Sequence, residues 1–105
     1  MPLDRAKQLT TIRQQLAELD ALAQQTRQDL NTVAGAERVA KWKSRTIALL
    51  TTTVGDEDRD TFARTQPGPS FTNDLLEEFT DLVECYRTPL VCLLDKLARS
   101  SPPGS

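Results

Sequence analysis

The sequence predicts an all-α fold: a small bundle of three long helices and one short helix, with the last long helix kinked or broken at Pro89. Leucine dominates the large apolar residues, with 15 copies against 2 isoleucines and 5 valines, and this balance favours helices over strands. Apolar residues also recur three and four positions apart, the spacing of one helical face. A chain of 105 residues has room for one core. We therefore expect a single domain over residues 1–100 and a disordered tail or linker over 101–105.

The first helix is predicted from about Asp4, which can cap its start, to about Asn31. Gly35 follows shortly afterwards and is expected to mark the break. The helix carries a long row of apolar or small residues: Leu9, Ile12, Leu16, Leu19, Ala23, Thr26, Leu30 and Val33.

This row has two interpretations. It could be the seam of a homodimeric coiled-coil regulator, but the flanking positions lack the opposite charges that usually fix such pairing. Leu22 also widens the apolar face beyond a narrow seam, and a later segment offers an internal partner of nearly equal length. We favour a wall of the chain's own bundle and keep the dimer as the alternative.

The second helix is predicted over about Ala36 to Val54, with Gly55 as its left-handed C-terminal cap. Trp42 lies beside the apolar row of this helix, so we expect it in the core. A short helix should then run from Glu57 to Thr65, capped by Asp56.

The segment from Asp56 to Asp60 also invites a calcium interpretation, because Asp56, Asp58 and Asp60 match the first ligand positions of an EF-hand loop. The rest of the loop does not match. Thr61 stands where the turn needs glycine, and Pro67 stands where a bidentate glutamate belongs. A helix start rich in acids is the better interpretation.

The last long helix is predicted from Asn73 to Arg99, with Thr72 as its cap and Phe71 packing on Leu76. Pro89 should kink it or begin a new helix. The predicted core of the bundle comprises Ile12, Leu16, Leu19, Leu30, Val39, Ile47, Leu50, Phe62, Phe79, Leu82, Tyr86, Leu90 and Leu93.

The sequence contains no recognisable catalytic or metal-binding motif. It has no histidine, and its four glycines are too scattered for a phosphate-binding loop. Cys85 and Cys92 are seven positions apart, too far for a disulfide within one helix, and are expected to be reduced core residues. We predict neither enzymatic activity nor a catalytic, cofactor or metal site. No apolar run suits a membrane span or a secretory signal, so we expect a cytoplasmic protein.

Charge is divided along the chain, although the net charge is only −2. Three bases of the second helix share one side, here called the basic face: Arg38, Lys41 and Arg45. Four acids of the last helix share another side, here called the acidic face: Asp74, Glu77, Asp81 and Glu84. One interpretation is that both faces are solvated or face each other within the fold. The other is that they are complementary patches that join subunits or recruit a charged partner.

A small nucleic-acid-binding regulator is a further alternative, since the basic face has Trp42 beside it. The overall acidity of the chain, with a pI near 5.1, argues against a nucleic-acid ligand.

The segment from Trp42 to Phe62 resembles small helical modules at the N-termini of bacterial defence and signalling proteins. The resemblance is carried by Trp42, Leu49 and Leu50, Gly55 and Asp56, and Phe62. Such modules are similar in role to death-like and effector-associated adaptor domains, which recruit or assemble effectors through homotypic contacts. The resemblance implies a non-enzymatic adaptor that binds a protein partner or its own copies.

Overall fold

The computed structural model describes residues 4–68 and 73–99, and every regular element within these ranges is an α-helix. The four helices are α1 (Arg5–Asp29), α2 (Thr32–Thr53), α3 (Asp56–Ala63) and α4 (Leu75–Arg99). The predicted all-α bundle of three long helices and one short helix is confirmed. The predicted cap Thr72, its neighbour Phe71 and the predicted tail lie outside the described residues.

Helix α1 begins and ends through local backbone features. Asp4 accepts a hydrogen bond from the backbone N–H of Lys7 at 3.1 Å, as predicted for a cap. At the other end, Leu30 adopts the left-handed conformation with φ 56° and donates its N–H to Thr26. Helix α2 follows at once. The side-chain oxygen of Asn31 accepts a hydrogen bond from the backbone N–H of Ala34 and so caps the start of this helix.

The predicted break at Gly35 is therefore wrong. Gly35 lies inside α2 and is buried. A Cβ at this position would be 2.5 Å from Thr26 Cγ2 and 2.8 Å from Phe79 Cε1. The glycine is thus required by the close approach of three helices, whereas the chain reverses five residues earlier.

The turn into α3 has the positive φ expected at Gly55 but differs from the prediction at Asp56. Gly55 adopts φ 96°, a conformation that glycine tolerates, and donates its N–H to the Leu50 carbonyl. It also precedes α3 directly, so the predicted side-chain cap by Asp56 is wrong, since Asp56 is the first helical residue. Helix α4 is continuous through Pro89, so no new helix begins there, while a bend remains a prediction.

The core lies where α1 packs on both α2 and α4. Ten predicted core residues are buried, together with Ala23, Trp42 and Val83. Ile47 and Leu82 are only half-buried, and Leu30 is wrongly predicted, because it is 67% exposed at the α1–α2 turn. The row of α1 is buried from Ile12 to Thr26, which assigns it to the chain's own core.

Helix α3 closes one half of the junction between α2 and α4. Its Phe62 packs between Trp42 and Tyr86, with ring centroids 5.8 Å and 6.3 Å away. Lys43 adds to this contact by donating to the Thr65 carbonyl at 3.0 Å and lying over the Tyr86 ring. The other half of the junction has no such helix among the described residues.

Candidate functional site

The basic face is split by the fold. The Arg38 guanidinium lies 3.3 Å from the Asp29 carboxylate and 3.3 Å from the Thr26 hydroxyl, so it stabilises the α1–α2 turn. Lys41 and Arg45 are exposed and form no ion pair with another described residue. The part of the basic face that is open to a partner is therefore Lys41 and Arg45.

The acidic face is divided in the same way. Asp74 precedes α4 and accepts hydrogen bonds from the backbone N–H groups of Leu76 and Glu77 at 2.9 Å and 3.2 Å. This role is structural, because it satisfies amide groups at the helix start. Glu77, Asp81 and Glu84 are exposed along the first half of α4.

The two faces do not pair with each other among the described residues. The Arg87 side chain of α4 binds Asp20 of α1 at 3.2 Å, and Lys96 binds Asp58 of α3 at 3.1 Å. The ion pairs between elements thus use charges other than those of the two faces, apart from Arg38.

A groove runs along the open half of the α2–α4 junction, and we call it the seam groove. Its volume is about 660 Å³. Val33 and Leu75 contribute its most exposed apolar side chains, 72% and 65% exposed. The half-buried Leu82 contributes further apolar surface, and the buried Phe79 lies beneath. The full lining is Thr32, Val33, Ala36, Glu37, Pro67, Gly68, Leu75, Glu78, Phe79, Asp81, Leu82 and Cys85.

Three carboxylates border the seam groove, from Glu37, Glu78 and Asp81, and no lysine or arginine lies in its described lining. Sequence reasoning identified only Asp81 of these. Glu78 could have been identified from the sequence, because it lies in the same acidic run, three positions before Asp81. Glu37 was not detectable, because only the packing of α2 beside α4 brings it to the groove.

The cysteines and the acids of α3 have ordinary surroundings. Cys85 is half-buried and Cys92 is exposed, so the prediction of two core cysteines is wrong for Cys92. Asp58 pairs with Lys96. Across residues 4–68 and 73–99, no group of three or more potential metal-ligating side chains is found.

No helix in the described part of the chain is both long and apolar enough to cross a membrane. Comparisons with family models, with curated proteins and with solved structures found no match to this chain.

Proposed function

We propose that this chain is a non-enzymatic protein–protein interaction module that assembles complexes through its oppositely charged faces. The first complex to test is one between copies of this chain. One observation carries the proposal. Lys41 and Arg45 on α2, and Asp81 and Glu84 on α4, are exposed charges that no ion pair among the described residues joins together. Complementary charges steer association and fix its register.

The small number of charges in each patch determines how strongly copies of the chain are expected to associate. Exposed ion pairs contribute about 0–1 kcal/mol each, so a contact built on a few of them is weak and salt-sensitive. The screening length falls from about 10 Å at 0.1 M salt to 3 Å at 1 M. Association should therefore decrease as salt is added.

The resemblance of the segment from Trp42 to Phe62 to adaptor modules of bacterial defence and signalling proteins supports the same function. A cytoplasmic location belongs to the proposal as well. It is supported by Cys85 and Cys92, which are free thiols, as is usual in a reducing compartment.

The test is light scattering of the full chain across protein concentration and salt. Lys41→Glu with Arg45→Glu should weaken self-association, and so should Asp81→Lys with Glu84→Lys. Combining the four changes should restore association, because the charges are then exchanged.

The matched control is Arg13→Glu with Arg27→Glu, which reverses two exposed charges on α1 and should leave association unchanged. A monomer at every concentration, with no response to salt or to either reversal, would overturn the proposal.

A further inference from the structure

The seam groove has the dimensions of a helix position, and no helix of the described ranges lies in it. Helix α3 has eight residues, and its Phe62 fills the junction of α2 and α4 only near Trp42 and Tyr86. The groove continues this junction toward the starts of α2 and α4. The three long helices thus border part of a fourth position that no helix among the described residues occupies.

The groove is long enough for a helix. Its α4 side extends from Leu75 through Phe79 and Leu82 to Cys85, positions that follow one another by three or four residues. At a rise of 1.5 Å per residue, this side measures about 15 Å, or about three helical turns. The α2 side of the groove is about one helical turn long and includes Val33 and Ala36.

The surface of the groove specifies the chemistry of its occupant. Val33 and Leu75 expose most of their apolar side chains to water, which favours covering them. The carboxylates of Glu37, Glu78 and Asp81 stand at the same groove, with no cation in the described lining. An occupant with apolar residues on one side and bases along its edges meets both requirements.

We propose that the seam groove binds an amphipathic helix of another protein, with its apolar side chains against Val33, Leu75 and Leu82 and its lysine or arginine side chains against the three carboxylates. Binding of an amphipathic helix in an apolar groove is a known mode of recognition, read through anchors three and four positions apart. The inference goes beyond the proposed function, because it concerns an unlike partner and shares with self-association only Asp81.

The probe is a fluorescein-labelled peptide of about 15 residues, with leucines at helical spacing on one face and lysines along both edges. Fluorescence anisotropy with the full chain at low salt should show saturable binding that weakens as salt rises. A peptide with glutamates in place of the lysines, and a scrambled peptide of the same composition, should bind at least about tenfold more weakly.

Variants of the chain separate the groove from general acidity. Val33→Ser with Leu75→Ser should weaken peptide binding by about tenfold, and Glu78→Gln with Asp81→Asn should weaken it and reduce its salt dependence. Val33 and Leu75 are mostly exposed, so their replacement should leave the melting temperature nearly unchanged. Val91→Ser is the matched control, because Val91 is an exposed apolar residue of α4 outside the groove, and it should bind the peptide like the native chain.

Each contrary result has a distinct meaning. Equal binding by the native chain and the Val33→Ser, Leu75→Ser variant would overturn the groove inference, even if charge reversal still abolished self-association. Peptide binding that appears only in a Phe71→Ala variant would also overturn it. That result would mean that the segment containing Phe71, and not another protein, occupies the groove in the native chain. Self-association that is lost with Val33→Ser and Leu75→Ser, without peptide binding, would replace the unlike partner by a second copy.

Discussion

Trp42 donates its indole N–H to the backbone carbonyl of Gln15 at 2.9 Å, inside the interface between α2 and α1. One turn along α2, the Thr46 hydroxyl donates to the Gln15 side-chain oxygen at 2.8 Å. All three residues are buried. Gln15 thus meets two residues of α2 at once, which fixes the register between the helices with directional bonds as well as apolar contact.

This cluster gives the first prediction. Thr46→Val removes the hydroxyl donor and leaves the Gln15 amide oxygen buried, which should cost about 1–3 kcal/mol of unfolding free energy. Gln15→Met combined with Thr46→Val should cost less than Thr46→Val alone, because both polar partners are then apolar. Urea unfolding of both variants tests this, and an equal or larger loss in the double variant would contradict it.

Gly35 gives a second prediction. By helix propensity alone, Gly35→Ala should stabilise α2 by about 1 kcal/mol. The new Cβ would instead lie 2.5 Å from Thr26 and 2.8 Å from Phe79, so we expect a net loss of about 1–3 kcal/mol. Gly68→Ala is the control, since a Cβ there has no neighbour within 4 Å, and its melting temperature should not fall.

Leu30 carries strain that can be removed. Its φ of 56° places a bulky residue in the left-handed region, which costs roughly 1–2 kcal/mol. Leu30→Gly should therefore raise the unfolding free energy by about 1 kcal/mol after allowing for glycine's entropy. Leu30→Ala removes the same exposed side chain but keeps a Cβ, so it should give no such gain in thermal unfolding.

The core can be tested against the surface of the same helices. Leu19 and Leu90 are fully buried, so Leu19→Ala or Leu90→Ala should cost about 2–5 kcal/mol. Leu75→Ala removes a leucine that is 65% exposed and should change stability by less than about 0.5 kcal/mol. Similar losses at all three positions in chemical denaturation would contradict the arrangement of α1 and α4.

Calcium should leave the melting temperature unchanged. Asp56 and Asp60 both lie near the Arg59 guanidinium, at 3.5 Å and 2.8 Å, and Asp58 pairs with Lys96. A cation bound only to the folded chain at 100 times its dissociation constant would add about 2.7 kcal/mol. A rise of several degrees with calcium in differential scanning calorimetry would contradict this prediction.

The periodic apolar pattern was sufficient to predict the helices and most of the core. Ile12, Leu16 and Leu19 are buried as their spacing indicates, because one face of an amphipathic helix has to leave water. Leu30 continues the same spacing but is exposed, since the helix ends at Asp29 and the periodicity no longer describes the backbone.

The candidate sites were less predictable. Spacing placed Arg38 with Lys41 and Arg45, yet Arg38 is engaged by Asp29, a residue of the preceding helix. Asp74 fits the spacing of the acidic face but binds the amide groups at the start of α4. The spacing of charges along one helix does not show which of them bind a residue of a neighbouring helix or the backbone at a helix end.

The sequence by itself determined the helical class, the long helices and the division of charge, because these depend on residues a few positions apart. Only the tertiary structure decided that Gly35 is a packing residue, that Leu30 makes the turn, and that Glu37 stands with Glu78 beside an apolar groove. The roles of Gly35 and Glu37 depend on how α2 packs against its neighbouring helices, which follows from how side-chain volumes fit together in three dimensions. The turn at Leu30 is a local change of backbone conformation that the spacing of apolar residues does not encode.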